Sequence, residues 1–242
     1  MCGMTRIDLS LAAPSCSACP IRHRAICATC EDDELLRLER MKTYRSWRVG
    51  QTIVMEGDVL PFVGSIVSGC ATLTRSMEDG RTQMVGLLLP SDFVGRHDRD
   101  RAAYQIVAAT DVTFCLFRRA EFQQLVRDTP HVMERLLKMS LDELDAAREW
   151  MMVLGRKTAR EKVASLLVNI LRRTATDVHP IRAELPLTRE AMAIYLGLTI
   201  ETVSRQMTAL RRDGLIGLEG RRGILCADLA ALQAEAEIDA AP

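Results

Sequence analysis

A chain of 242 residues with 48% hydrophobic side chains can bury two modest cores and is too apolar to be a disordered tail. No uninterrupted apolar stretch approaches the ~18 residues of a membrane span, and no basic region followed by a long apolar one opens the chain, so a cytoplasmic protein without membrane contact is expected. The formal net charge of zero hides an asymmetry: −2 over residues 1–155, +5 over 156–230 and −3 over 231–242. A local cationic surplus suits a phosphate-facing module, because counterion release supplies most nonspecific DNA affinity, although a solvated basic face has the same composition.

Residues 1–15 show no periodicity. Four of the eight cysteines, Cys16, Cys19, Cys27 and Cys30, then fall within fifteen positions, with Arg22, His23 and Arg24 between them. In a compartment that keeps thiols reduced, this density points to metal binding or redox chemistry rather than disulfides. Acids at 31–34 followed by Leu35, Leu36, Leu38 and Met41 predict a short helix with its dipole complemented. Between 44 and 117 the pattern changes to short apolar runs at 52–54, 64–67, 84–88 and 104–107, separated by turns at Gly57, Gly69, Gly80 and Gly95. This is the signature of an antiparallel roll or barrel.

Thr129 and Pro130 supply the cap and first position of a long helix. Its apolar seam runs Met133, Leu137, Ser140, Leu144, Ala147, Met151, Leu154, in steps that alternate four and three. A period of 3.5 predicts a self-associating helix, while a helix buried against its own domain shows a similar stripe. A second amphipathic helix over 158–173 places Val163, Leu166, Leu167, Ile170 and Leu171 on one face, and a polar loop over 174–183 follows it.

Residues 188–210 read as two helices joined at Gly197, with Ala193 small where they cross and Leu196, Leu198 and Val203 turned to the core. The second helix opens near Thr199 and presents Ile200, Glu201, Ser204 and Arg205 outward. Arg can donate to guanine and Glu can accept from cytosine in the major groove, whereas a plain intrahelical Glu201–Arg205 pair is worth only ~0.3–0.5 kcal/mol. Beyond Asp213-Gly214, two short strands at 215–218 and 223–225 flank Arg221 and Arg222 as a two-stranded wing. Arg211, Arg212, Arg221 and Arg222 are phosphate-contact candidates.

In this order, a short helix, a roll, a long helix and a winged helix-turn-helix resemble the Crp/Fnr superfamily of bacterial regulators over residues 16–230. The implied α+β fold has an N-terminal antiparallel β-roll like the cyclic-nucleotide-binding jelly roll, a long dimerisation helix and a C-terminal winged helix-turn-helix. The segments are then a cysteine-rich region 1–40, a sensor roll 41–128, a dimer helix 129–156, a DNA-binding domain 157–232 and a tail 233–242. The run Tyr195-Leu-Gly-Leu-Thr-Ile-Glu-Thr-Val-Ser-Arg205 is similar to the FNR branch. That resemblance implies reading of a TTGAT-type half-site by Glu201, Ser204 and Arg205. Ile200 stands where relatives at cyclic-AMP-controlled sites carry an Arg, and Gln206, where many such motifs are apolar, leaves Met207 to supply packing.

The same resemblance bears on the input signal. Nucleotide-binding relatives use a Gly-Glu pair and a later Arg-Ser or Arg-Thr, but here the acid has become Arg96 and the Arg-Ser is missing, so no cyclic nucleotide is expected. Oxygen-sensing FNR proteins of the FnrL/FnrN type hold a 4Fe-4S cluster through an N-terminal cysteine run and a remote fourth cysteine. By resemblance the ligands are Cys16, Cys19, Cys27 and Cys115, with Cys115 on a last roll strand over 112–117. Cys30 in place of Cys27, or a zinc site of Cys16, Cys19, Cys27 and Cys30, are the alternatives, as are haem or thiol-redox inputs. Cys2, Cys70 and Cys226 are bystanders. Ile26 is a candidate shield for the cluster, and Ala147 stands where relatives place an acid that opposes dimerisation. The hairpin 77–83 is a candidate RNA polymerase contact by family position. Nothing supports catalysis, since no phosphate loop or nucleophile-base pair is present and His23, His97, His131 and His179 are scattered.

Overall fold

The computed structural model describes residues 15–96, 98–174 and 180–237. Cys2, His97 and His179, the start of the cysteine-rich region and the last residues of the expected tail lie outside them. The described residues divide into two compact units, one of residues up to 73 with 87–139, the other of 74–86 with 140 onward.

In the first unit, turns from Ser15 lead through a short 3-10 helix, Ile26–Thr29, into helix α1 (Asp32–Met41), which a Glu31/Glu34 capping box opens. Strands β1 (Thr43–Trp47), β2 (Thr52–Val54), β3 (Phe62–Ser68), β4 (Ala71–Ser76), β5 (Thr82–Leu88), β6 (Phe93–Val94), β7 (Gln105–Ala108) and β8 (Val112–Arg118) follow, the end of β4 and the start of β5 belonging to the 74–86 segment of the other unit. They form two four-stranded sheets, ordered β1-β8-β3-β6 and β2-β7-β4-β5.

Strand β8 lies between β1 and β3 and is buried on both faces, which is why its sequence, Val-Thr-Phe-Cys-Leu-Phe, is almost continuously apolar. Its alternate side chains serve different cores. Val112, Phe114 and Leu116 pack inside the roll with Trp47 and Ile66. Cys115 and Phe117 turn the other way, onto a cluster with Ile26, Leu38, Val63, Phe122, Val132 and Leu136.

Helix α2 (Arg119–Asp128), which buries Phe122, Leu125 and Val126, is a feature the sequence reading missed. Helix α3 (Pro130–Arg156) begins where Thr129 and Pro130 place it and runs for 27 residues. Val132 and Leu136 of its first turns are buried, whereas the neighbouring seam is bare: Met133 is 41% exposed, Leu137 58%, Leu144 45% and Met151 71%. Ser140 and Ala147 are exposed too, and Leu154 is half-buried. Within the single chain this stripe is therefore not covered by its own domain.

In the second unit, α4 (Ala159–Thr174) buries Val163, Leu166, Leu167, Ile170 and Leu171. The expected two-stranded wing is present, while the expected polar loop requires correction. Residues of that loop form β9 (Ile181–Glu184), which pairs with the second wing strand, so the sheet has three strands, β10-β11-β9. The register explains it: Ile224, 1% exposed, stands opposite Ala183, and alternation along so short and polar a strand is weak. Helices α5 (Arg189–Leu196) and α6 (Ile200–Arg212), wing strands β10 (Gly217–Glu219) and β11 (Gly223–Cys226), and helix α7 (Leu229–Glu235) complete the unit. Arg160 of α4 pairs with Asp213 at 2.8 Å and with Glu235, fixing the ends of α6 and α7.

Candidate functional site

Two places bring together the residues singled out in the sequence. The first is a small, partly open cavity of about 20 Å³ lined by Cys16, Cys19, Cys27 and Cys115, with Ile21, Ala25, Ile26, Leu38, Tyr44, Ser65 and Phe117. Its polar lining is thus four thiols and two hydroxyls. Cys30 is buried in the adjacent apolar cluster and does not line this space. Cys70 and Cys226 are buried elsewhere.

Local bonds explain how the loop reaches the sheet. Arg22 donates to the carbonyls of Cys27 and, at 3.0 Å, Cys30, curling the segment round its own guanidinium. The Cys16 amide donates to Glu39 of α1 at 2.7 Å, and Glu39 also holds Lys42 at 3.2 Å. Arg135 of α3 donates to the carbonyls of Arg24 and, at 3.3 Å, Ala25. Ile26 both lines the cavity and packs with Val132 and Leu136, so the shielding and packing roles fall on one side chain.

Burial governs the thiols. It pushes Cys16 up to about 11 against the opposing pull of Lys42, pushes Cys115 up to about 12 with help from the other thiols, and raises Cys27 against the pull of Arg22. Cys30 is likewise pushed up to about 12. A metal bound by these thiols would have to displace their protons. Among the described residues no three His, Cys, Asp or Glu side chains gather closely enough to hold a single metal ion. The set is soft and all-sulfur, which is the donor chemistry of an iron-sulfur group.

Gly64, next to Ser65, lets β3 lie close against β8. A Cβ there would overlap the carbonyl oxygen of Cys115 and crowd Leu116. Gly64→Ala is expected to destabilise the roll by about 1–3 kcal/mol, read as a lowered Tm, because β3 and β8 must part to admit the methyl group. An unchanged Tm would show that the close approach is dispensable.

The second place is the outward face of α6. Thr188 caps α5 and Gly197 ends it at φ 63, a left-handed turn that favours glycine. Thr199 caps α6, accepting from the Thr202 amide at 3.2 Å. Met192, Leu196, Val203, Met207 and Leu210 are all buried to 1% exposure or less, and Met207 fills the space beside Gln206 as expected. Glu201, Ser204 and Arg205 are exposed together. Glu201 and Arg205 are not paired with each other. Arg205 reaches Thr202 at 3.2 Å, and Glu201 is held below the usual carboxylate range by its own helix-start amide and then by Thr199. Neither is engaged by a mutual ion pair. Arg211 and Arg221 are exposed, Arg222 is half-buried, and Arg212 pairs with Asp213 at 3.1 Å.

A further cavity of about 290 Å³ inside the roll is lined by apolar side chains and by Arg96, Arg99 and Arg101. Arg96, where nucleotide-binding relatives have a carboxylate, is engaged by Asp98 at 2.6 Å. Among the described residues no helix is long and apolar enough to cross a membrane.

Comparison with known proteins matches residues 44–129 to the cyclic nucleotide-binding domain and residues 161–235 to the Crp-like helix-turn-helix domain. The chain is 57% identical to the transcriptional activator protein FnrL of Cereibacter sphaeroides over 241 residues, 98% of this chain and 97% of that one. This chain belongs to the Crp/Fnr family. The nitrogen fixation regulation protein FixK of Bradyrhizobium diazoefficiens is 36% identical over 84% of this chain and 86% of its own. The solved structure of FixK2 from Bradyrhizobium japonicum superposes with a TM-score of 0.73 at 32% identity, covering 83% of this chain and 98% of that one. The Crp/Fnr chain is accordingly a DNA-binding transcription regulator of the FNR/FixK type and not an enzyme.

Proposed function

We propose that this regulator is oxygen-responsive: a 4Fe-4S cluster held by Cys16, Cys19, Cys27 and Cys115 favours a homodimer that binds TTGAT-type palindromes in double-stranded promoter DNA and controls genes used without oxygen. The observation that carries this reading is the convergence of three loop thiols and one thiol from a central strand, 88 positions beyond Cys27, on one small cavity. The cluster, when bound, supplies oxygen-sensitive iron-sulfur chemistry. The chain supplies the rest. Ile26 and Phe117 keep water from the sulfurs, Arg22 fixes the loop, and Arg135 with Val132 and Leu136 passes its order to α3. Since α3 carries the bare seam on its neighbouring face, ordering the loop biases the helix towards its partner, a population shift between two states.

Anaerobic purification followed by iron, sulfide and zinc analysis tests the reading. About four irons and four sulfides per chain are expected. Stoichiometric zinc without sulfide would overturn it in favour of a zinc-controlled regulator.

On the DNA, the dimer meets two half-sites about one helical turn apart through Glu201, Ser204 and Arg205, with Thr199 at the helix start and Arg211, Arg221 and Arg222 on phosphates. Glu201→Ala and Arg205→Ala are each expected to cost about 1–3 kcal/mol at one base pair, seen as relaxed choice at that position in competition binding. Arg221→Ala should instead flatten the salt dependence. Uniform weakening over all bases by Arg205→Ala would remove it from the reading set. The exposed tip between β4 and β5, around Gly80, is the surface offered to RNA polymerase.

A further inference from the structure

Antiparallel register places Tyr44 of β1 and Ser65 of β3 directly opposite Cys115 of β8, one on each side. Opposed residues share a face, so a row Tyr44, Cys115, Ser65 crosses the sheet and forms one wall of the thiol cavity. Both hydroxyl oxygens, Tyr44 Oη and Ser65 Oγ, are buried with no oxygen or nitrogen to bond to, and Tyr44 Oη has the Cys19 thiol beside it. A buried hydroxyl without a partner costs about 1–3 kcal/mol, and two of them facing one cavity mark a space built for an acceptor. Beside them is a cation. The Lys42 side chain is 8% exposed, its Nζ stands 5.3 Å from the centre of the Tyr44 ring and 3.2 Å from Glu39, whose carboxylate also holds the Cys16 amide.

We infer that Tyr44 and Ser65 are hydrogen-bond donors to the sulfur atoms of the group in this cavity, and that Lys42 supplies compensating positive charge, the three together setting its reduction potential and retention. The inference rests on the cluster reading above. Four thiolates outweigh the charge of a 4Fe-4S core, so the assembly is an anion in an apolar enclosure and needs donors and a cation close by. Hydrogen bonds to cluster sulfurs and nearby positive charge favour the more negative, reduced form. These are positioning residues, and none of them is a ligand.

The test uses the full chain, reconstituted without oxygen, with one electron delivered to the cluster from an electrode. Tyr44→Phe, Ser65→Ala and Lys42→Met are each expected to shift the midpoint potential to more negative values, roughly a tenfold change in the reduction equilibrium, or about 59 mV. Ser65→Thr keeps its hydroxyl and should restore the wild-type potential. Should Tyr44→Phe hold no cluster, the Ser65 pair still decides: lower potential or lower iron content in Ser65→Ala, recovered in Ser65→Thr at equal helicity by circular dichroism, supports the inference. A wild-type protein with four irons and four sulfides whose variants keep its potential and iron content overturns this inference alone. Wild-type protein with zinc and no sulfide overturns both it and the cluster reading.

Discussion

Replacing Cys115 with alanine is expected to give a folded protein whose iron and sulfide content after anaerobic reconstitution falls below about a tenth of wild type, with its anaerobic DNA affinity reduced to that of the cluster-free form. The three N-terminal thiols lie on a loop joined to the rest of its unit by a handful of bonds from Arg135 and Glu39. Cys115, by contrast, sits at the centre of a sheet, paired on both sides. It is the thiol through which a bound group would tie the loop to a rigid support, beyond the packing of Ile26 and the bonds of Arg135 and Glu39. The stability cost of losing one buried sulfur is on the order of 1 kcal/mol, too small to confuse unfolding with loss of a ligand. Cys30→Ala separates the alternatives, since Cys30 packs in the apolar cluster without lining the cavity, and the variant should keep its iron. If Cys115→Ala retained a full cluster, the strand thiol would be ordinary packing. If Cys30→Ala emptied the site while Cys27→Ala did not, the third ligand would be Cys30.

Much of the fold was legible because its periods are long. The α3 seam, the Thr129-Pro130 start and the Gly197 turn each rest on residue types whose backbone or packing preferences allow few alternatives. What escaped was short and polar. Helix α2 carries its buried trio, Phe122, Leu125 and Val126, at helical spacing, but in ten residues directly after a strand that spacing has no cap to announce it. Strand β9 exists because β11 offers it an edge, a tertiary cause that its own sequence does not carry. The candidate site divides in the same way. The clustered cysteines and the helix-turn-helix face could be named from spacing, and Cys115 from resemblance. Tyr44 and Ser65 could not, because their relation to Cys115 is a matter of register between strands dozens of positions apart. The alternation within β8 was the available clue: Phe114 and Leu116 on one face leave Cys115 and Phe117 for another.

The seam of α3 gives the second large effect. Leu137 is 58% exposed in the single chain and its neighbours Met133 and Leu144 are bare as well, so Leu137→Glu leaves the subunit's own cores untouched. In a two-fold dimer the same position occurs twice, and burial of a leucine contributes about 1.5–3 kcal/mol, so losing both removes about 3–6 kcal/mol even before the carboxylates repel. At 1.4 kcal/mol per decade, the dimer Kd should rise by at least about a hundredfold. Sedimentation of the iron-loaded protein is expected to give monomers at micromolar concentration, with normal helicity, normal iron content and no binding to the palindrome. Ala147→Asp tests the same seam more gently, restoring the acid that the FNR resemblance places there. It should weaken the cluster-free dimer more than the cluster-bound one, because the native alanine offers no repulsion for the cluster to overcome. A Leu137→Glu protein that remains a tight, DNA-binding dimer would show that the exposed stripe faces something other than a second copy of this chain, and the link from thiol cavity to promoter would have to run by another face of α3.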